Sequence, residues 1–332
     1  MKYDTMVFIG RFQPLHIGHE AVIRKALSMA KEVVIVVGSA FQSRDIRNPF
    51  TFKERADIIR EVFPNDNLHI VPAQDFPYDD NRWIKGIQQA VESFTKNKNV
   101  ALIGHEKDGT SYYLKLFPYW KSESVTNIDG INATDIRDTL FMGKGIMPTT
   151  LSTPVQNLFR KPHNPYARVL DDLSYEKKLI DGYKESWEAA PYPPTFVTTD
   201  AVVIQSGHVL LVQRGHSPGI GLLALPGGFL NQGEKIVDGM IRELREETRL
   251  KVPDPVLRGS IVDQAVFDDP MRSTRGRTIT HAFHIELEPM MKLPKIKGSD
   301  DAVDAKWVPL ADVDPEQMFE DHAHIIDYFV GG

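Results

Sequence analysis

The 332-residue chain contains no cysteine. That excludes disulfides, thiolate zinc sites and cysteine nucleophiles, and it fits a reducing cytoplasm. Nor is there a basic excess. With 39 Lys and Arg against 45 Asp and Glu, the net charge is -6, so nothing recommends a nucleic acid as partner. Small phosphorylated ligands remain open, because they need only local positive charge. No segment approaches the roughly 18 uninterrupted apolar residues of a membrane span, so no membrane partner is expected. The opening "MKYDTMVFIGRF" has too short an apolar run for a signal peptide, and Arg11 interrupts it. No internal repeat is visible.

The length is that of about two domains, each long enough to bury a core. Apolar residues make up 42% and charged residues 25%, as in ordinary globular proteins. The first part alternates short apolar runs ("TMVFIG", "EVVIVVGSA", "NLHIVPA", "NVALIGH") with segments of helical periodicity ("GHEAVIRKALSMA", "TFKERADIIREVF", "RWIKGIQQAVESF"). Such alternation predicts a parallel sheet with helices on both faces, and ligands bind outside the carboxyl ends of its strands. From about Thr153 to Pro194 the character changes to a charged amphipathic helix, "SYEKKLIDGYKESWEAA", stopped by "PYPPT". Then "FVTTDAVVIQSGHVLLVQRG" predicts two antiparallel strands joined by a Ser-Gly turn. Strands in "RGSIVDQAVF", "TITHAFHIEL" and "DAKWVPL" complete an α+β domain with one dominant helix. The expected division is therefore an α/β domain over 1–152, a helical linker over 153–194 and an α+β domain over 195–332.

Two stretches carry chemistry. In "GRFQPLHIGHE", His16 and His19 stand just past the first strand, at the start of the first helix. A helix N-terminus offers unpaired N–H groups and a partial positive charge, and so attracts phosphate. Gly10 would let the chain turn tightly, Gly18 would let the backbone approach a ligand, and Arg11 adds a full charge. This set suits nucleotidyl transfer, in which catalysis is positioning and charge stabilisation. The plainer alternative is that each histidine only satisfies local hydrogen bonds. The residues resemble the H-x-G-H nucleotidyltransferase superfamily, whose fold is Rossmann-like. That family's second signature has Ser or Thr three residues before Arg, which "INATDIRDTL" matches with Thr134 and Arg137; Thr134 would also cap its helix. "NPFTFKER" and "DDNRWIKGI" are similar to segments of the archaeal-type nicotinamide mononucleotide (NMN) adenylyltransferases. The resemblance covers about residues 5–150. It implies ATP and NMN as substrates, Mg²⁺, and Asn81 and Trp83 beside the nicotinamide ring, where an indole stacks well on a cationic pyridinium. Trp83 as a core-packing residue is the alternative. Arg47 either reaches ATP phosphates or is a solvated loop charge.

In "GGFLNQGEKIVDGMIRELREETRL", Glu243, Glu246 and Glu247 fall at i, i+3 and i+4, on one helix face. Three clustered carboxylates repel unless a cation sits among them, and hard oxygen ligands suit Mg²⁺ or Mn²⁺. A solvated acidic face is the alternative. Arg242 can pair with Glu246 or Glu234. The segment resembles the Nudix box in Gly228, Glu234, Arg242, Glu243, Glu246 and Glu247, but places Arg249 where the family has Gly. The family implies water attack on a diphosphate, with Glu246 and Glu247 in catalytic and metal-binding roles. Flanking segments resemble the ADP-ribose pyrophosphatase branch and the ADP-ribose-binding Nudix regulators. Arg275 and Arg277 either contact the diphosphate or are loop charges. Asp300 or Asp301 supplies a general base, or "GSDD" is a turn.

Taken together, the resemblance is to bifunctional NMN adenylyltransferase–Nudix hydrolases. It implies NAD and pyrophosphate from ATP and NMN, and AMP and ribose 5-phosphate from ADP-ribose. Two alternatives stand beside it. In one, the C-terminal half senses ADP-ribose without cleaving it. In the other, the first domain uses a different nucleotidyl acceptor. A homo-oligomer is compatible with either.

Overall fold

A computed structural model describes residues 1–64, 67–96, 98–104, 116–125, 131–142, 149–160 and 164–331. His105, at the end of the fourth predicted strand, lies outside them. The chain forms two compact units, Met1–Tyr175 and Glu176–Gly332. Among the described residues no helix is long and apolar enough to cross a membrane.

In the first unit the elements are β1 (Tyr3–Gly10), α1 (Ile17–Met29), β2 (Ala30–Ala40), α2 (Phe52–Val62), β3 (Leu68–Gln74), α3 (Asp80–Thr95), β4 (Val100–Gly104), β5 (Lys121–Ser124), α4 (Ala133–Phe141), α5 (Thr153–Arg160) and the start of α6 (Ala167–Glu185). The strands lie in the order β3-β2-β1-β4-β5, all parallel. Both faces are covered, so the strands read as continuous apolar runs. Met6, Phe8, Val33, Ile35 and Val37 face one core with Val22 and Ile23 of α1 and Ile58 and Ile59 of α2. Val7, Ile9, Val34 and Val36 face the other with Ile87 and Val91 of α3. The order reverses between β1 and β4, which makes the carboxyl end of β1 the expected ligand crevice. Segment 153–175 contributes Val155, Phe159, Leu170 and Leu173 to the first core. The α6 helix begins seven residues before the predicted "SYEKK" segment and ends at Glu185, short of Trp187 and Ala190.

The second unit holds β6 (Thr195–Gln205), β7 (His208–Arg214), β8 (Leu223–Ala224), β9 (Gly227–Phe229), α7 (Ile236–Thr248), α8 (Asp254–Gly259), β10 (Ile261–Phe267), β11 (Arg277–Glu286), β12 (Ala302–Pro309) and α9 (His322–Val330). Its mixed sheet runs β10-β11-β6-β7-β12, with β8 on β7 and β9 on β6. The predicted Ser-Gly turn is present: Ser206 and Gly207 both have positive φ, +48° and +73°, as a two-residue hairpin requires. Met240 and Leu244 of α7, one turn apart and fully buried, pack with Ala201, Val203 and Phe283. Truncating Leu244 to Ala would cost about 2–5 kcal/mol. That packing fixes the rotation of α7, and hence the direction of the neighbouring stripe of Glu243 and Glu247.

Candidate active sites

At the end of β1 the chain reverses at Phe12, which holds φ of +52°. Gly10 stays in the strand, and the room left by its missing side chain is taken by the Phe12 ring. The tight turn expected at Gly10 is thus made two residues later. His16 caps α1, its Nδ1 accepting the His19 N–H at 3.4 Å. A neutral ring bonded in this way carries its proton on Nε2. The two imidazoles stack with centroids 3.7 Å apart. Gly18 lies inside α1, and a Cβ there would press on the His16 ring. The space expected for a ligand's approach is used by an imidazole instead.

Arg11, Phe12, Gln13, His16 and His19 line a cleft of about 350 Å³ together with Ile131, Asn132, Ala133, Thr134 and Arg137. Five of the seven residues expected to be catalytic therefore share one wall-to-wall space: Arg11, His16, His19, Thr134 and Arg137. Thr134 is not the helix cap. Asn132, in extended conformation, accepts the Thr134 N–H at 2.9 Å and takes that role. The Thr134 hydroxyl instead accepts from Arg137 at 3.1 Å. The rest of the Arg137 fork is spent on main-chain carbonyls of Gln13 at 3.1 Å and Ile46 at 3.2 Å. Burial lowers its pKa to about 10, so it stays charged at neutral pH. Arg47, Asn81 and Trp83 are not in the lining. Arg47 sits in the turn between β2 and α2, its N–H on the Asp45 carboxylate at 2.8 Å. Asn81 is exposed in the first turn of α3, and Trp83 is half-buried with its ring 6.3 Å from Phe117.

In the second unit a cleft of about 320 Å³ is lined by Glu243, Glu246 and Glu247, by Gly227 and Gly228, and by Arg242, Arg275, Asp300 and Asp301. Arg242 organises it. The guanidinium donates to Glu234 at 2.7 Å, Glu243 at 2.8 Å and Glu246 at 2.9 Å. Its bonds hold Glu234 down to a pKa of about 2. Glu247 has no such partner. It accepts the Gly227 N–H at 3.0 Å, and burial pushes its pKa up to about 8. Burial also raises Glu243, against the pull of Arg242. Gly228 is required by close approach, since a Cβ would collide with the Glu243 carboxylate. Arg249 ends α7 in the left-handed conformation, φ +51°. The helix therefore exits as a glycine would let it, with a non-glycine residue bearing the strain.

Does this acid set fit a metal? Among the described residues no three His, Asp or Glu side chains already converge as a cage, because Arg242 draws Glu243 and Glu246 to itself. The chemistry fits nonetheless. Glu243, Glu246 and Glu247 are hard oxygen donors in one lining, and the buried carboxyl of Glu247 is one that a cation or a proton can neutralise.

Arg275 lines the cleft, with its guanidinium 5.3 Å over the Phe229 ring and a buried Nε that lacks a hydrogen-bond partner. Arg277 does not line it; its guanidinium turns to the Asp268 carbonyl and carboxylate. Arg275 is thus brought into the cleft and Arg277 is not.

Residues 7–127 match the cytidylyltransferase-like family model, and residues 194–329 match the NUDIX domain model. A nicotinamide/nicotinic acid mononucleotide adenylyltransferase of Acinetobacter baylyi is 40% identical over 188 residues, 55% of this chain and 95% of that protein. An ADP-ribose pyrophosphatase of Methanocaldococcus jannaschii is 30% identical over 154 residues, 46% of this chain and 84% of that protein. The crystal structure of a bifunctional NMN adenylyltransferase/ADP-ribose pyrophosphatase from Francisella tularensis covers 99% of both chains at 36% identity, with a TM-score of 0.91. A crystal structure of a bifunctional NMN adenylyltransferase/ADP-ribose pyrophosphatase from Francisella tularensis complexed with AMP and a manganese ion is also similar, at 36% identity over 99% of both chains with a TM-score of 0.90.

The chain belongs to the bifunctional NMN adenylyltransferase/ADP-ribose pyrophosphatase family. Within the Nudix unit of this family member, several cleft residues lie far from the box in sequence. Arg214, at the end of β7, is half-buried with its guanidinium 3.8 Å above the Phe319 ring. Burial, and then the neighbouring Arg275, push its pKa down. Asp200 is buried in β6 and accepts from Thr280 at 2.5 Å. His322 of α9 accepts the Leu225 N–H on Nδ1 at 2.9 Å, and burial lowers its pKa. It is therefore neutral, with its proton on Nε2. Arg272 forks onto Asp321 at 2.8 and 2.9 Å and anchors this wall. A buried-looking "VLLVQR" strand that ends in Arg was the one available sequence signal. His322 had none, because twenty C-terminal residues gave no reason to fold back onto the box.

Proposed function

We propose that the N-terminal unit transfers AMP from ATP to NMN, giving NAD and pyrophosphate. We further propose that the C-terminal unit hydrolyses ADP-ribose to AMP and ribose 5-phosphate. The observation that carries this reading is the coincidence, in both units, of a matched family segment with a cleft that gathers that segment's motif residues.

In the first reaction a phosphate oxygen of NMN attacks the α-phosphorus of ATP, and the bond to the β-phosphate oxygen breaks. Negative charge grows on the oxygens in flight. Arg11, His16 and His19, with the N-terminus of α1, place positive charge and N–H donors where that charge appears. Thr134 adds a hydroxyl, and Arg137 holds the loop through its Gln13 and Ile46 bonds. Gly10 and Gly18 keep the Phe12 and His16 rings in place. Asn81 and Trp83 begin α3 just after the carboxyl end of β3, the same edge of the sheet as the cleft. That placement supports their contact with the pyridinium ring, and Arg47 in the β2–α2 turn is on the same edge for the ATP phosphates. In the second reaction a water oxygen attacks one phosphorus and the bridging oxygen leaves with the other. Arg275 binds the diphosphate. Glu243, Glu246 and Glu247 would hold Mg²⁺ or Mn²⁺, which when bound activates water and neutralises phosphate oxygens. Mg²⁺ accompanies ATP in the first unit. The chain is read as a cytoplasmic enzyme, which the lack of cysteine supports.

Incubation with ATP, NMN and Mg²⁺, and separately with ADP-ribose and Mg²⁺, tests this directly. NAD and pyrophosphate are expected from the first mixture, AMP and ribose 5-phosphate from the second. Tight ADP-ribose binding without cleavage would make the second unit a sensor. Transfer to another acceptor but not to NMN would reassign the first.

A further inference from the structure

Among the described residues Arg55 is the largest side chain that is buried almost without exposure, at 1%. It sits in α2, outside the lining of either cleft, and the mechanism above does not use it. Among the described residues no carboxylate lies in ion-pair distance of it. Its guanidinium donates to four main-chain carbonyls: Arg11 at 2.7 Å, Gly38 at 2.7 Å, Ser39 at 2.9 Å and Thr51 at 3.3 Å. Burial brings its pKa down only to about 10, so the cation persists. A desolvated charge is costly unless its hydrogen bonds are met. Here they are met by the ends of two adjacent strands, β1 and β2, and by the cap of α2.

The consequence is directional. A trans peptide points its N–H opposite to its C=O. With the Arg11 carbonyl drawn onto Arg55, the Phe12 N–H is turned the other way. Phe12 is the residue at φ +52°, and it lines the cleft with His16 and His19. The next peptides of the same loop are held too. The Gln13 carbonyl is drawn onto Arg137 at 3.1 Å, and the Gln13 side chain clasps the main chain of Phe50 at 2.9 and 3.0 Å. Two buried guanidiniums from different helices therefore fix the Arg11 and Gln13 carbonyls of this loop; Gln13 precedes Pro14, which has no N–H, so the N–H that this turns is that of Phe12.

We propose that Arg55 is a positioning residue for nucleotide phosphate. It acts by orienting the Arg11–Phe12 peptide so that its N–H, and not its carbonyl, faces the cleft. This rests on the adenylyltransferase reading of the first unit, but the binding of ATP alone tests it separately.

Two variants of the full chain are made, Arg55→Met and Arg55→Lys. Lysine keeps the charge but reaches only one end of the fork, so it cannot hold Arg11 and Ser39 together. ATP binding is measured by calorimetry, and KM for ATP and for NMN by steady-state kinetics. ADP-ribose cleavage at the wild-type rate certifies the second unit, and circular dichroism with the thermal midpoint certifies the first. The expected result is a Kd and KM for ATP raised about tenfold or more in Arg55→Met and about fivefold in Arg55→Lys, with KM for NMN within twofold. Simple loss of folded protein would lower the maximal rate and leave KM for ATP unchanged. Unchanged ATP affinity in the folded variants overturns the proposal. If Arg55→Met does not fold, unchanged affinity in Arg55→Lys alone overturns it. If wild-type protein binds ATP but makes no NAD, the functional reading fails while the ATP measurements still decide the role of Arg55.

Discussion

The cleft of the first unit gathers donors and cations: Arg11, His16, His19, Arg137 and the start of α1. That of the second gathers Glu243, Glu246 and Glu247, with Arg242 bridging two of them and Arg214 and Arg275 in the same lining. Both sites, on the proposed reading, act on a phosphoanhydride, one making it and one breaking it. The charge they bring is nearly opposite. In the first, the protein lines the cleft with fixed positive charge, beside the Mg²⁺ that accompanies ATP. In the second, the protein supplies the ligands and a metal ion supplies the charge. A transferase must hold two anionic substrates against each other, which fixed cations do without displacing anything. A hydrolase must generate a nucleophile from water, which a carboxylate-bound cation does well.

Substitutions at the core of each cleft sharpen this contrast most. His19→Ala should lower kcat for NAD synthesis on the order of a hundredfold or more, as for other lost donors to developing charge, while ADP-ribose cleavage is untouched. A mutant with normal NAD synthesis would remove His19 from the chemistry. Glu246→Gln should have a loss of similar size in the other direction, read as AMP release at saturating Mg²⁺; full cleavage there would sink the metal-site reading.

Metal alone should separate the units next. Without nucleotide, Mg²⁺ at 100 times its Kd should stabilise the second unit by about 2.7 kcal/mol, seen as a rise in its thermal midpoint, and leave the first unit where it was. Glu246→Gln should shrink that rise. Equal shifts of both transitions would contradict the division of labour. Trp83→Ala should raise KM for NMN severalfold and leave KM for ATP nearly unchanged. Equal effects on both would assign Trp83 to packing against Phe117.

The smallest effect belongs to Arg249. Its left-handed conformation costs about 1 kcal/mol that glycine would not bear, partly offset by glycine's greater freedom in the unfolded chain. Arg249→Gly should therefore raise the midpoint of the second unit by a few degrees at most, without changing cleavage. A fall would mean that the Arg249 side chain makes contacts worth more than the strain.

The parallel sheet was legible because both of its faces are buried, which writes strands such as "VVIVVG" as unbroken apolar runs. The acid stripe of α7 was legible because helical spacing is local. What spacing cannot show is which polar group takes each bond. Asn132, not Thr134, caps α4, and Phe12, not Gly10, makes the turn after β1. Arg214, Asp200 and His322 reach the second cleft from β7, β6 and α9, and only tertiary folding brings those elements together. The segment after Thr153 looked like a connector because its charges dominate its sequence. Val155, Phe159, Leu170 and Leu173 are spaced for burial, but the core they enter is not in their own neighbourhood.

The central claim is that two chemistries of opposite charge logic work independently on one chain. It is tested most directly by assaying both reactions on His16→Ala and Glu247→Gln in matched preparations. His16→Ala also removes the cap of α1, worth about 1 kcal/mol, so its fold is checked alongside. The account predicts that Glu247→Gln abolishes ADP-ribose cleavage and leaves NAD synthesis within about twofold, and that His16→Ala does the reverse. If either variant, still folded, silenced both reactions, the sites would be coupled and the account would be wrong.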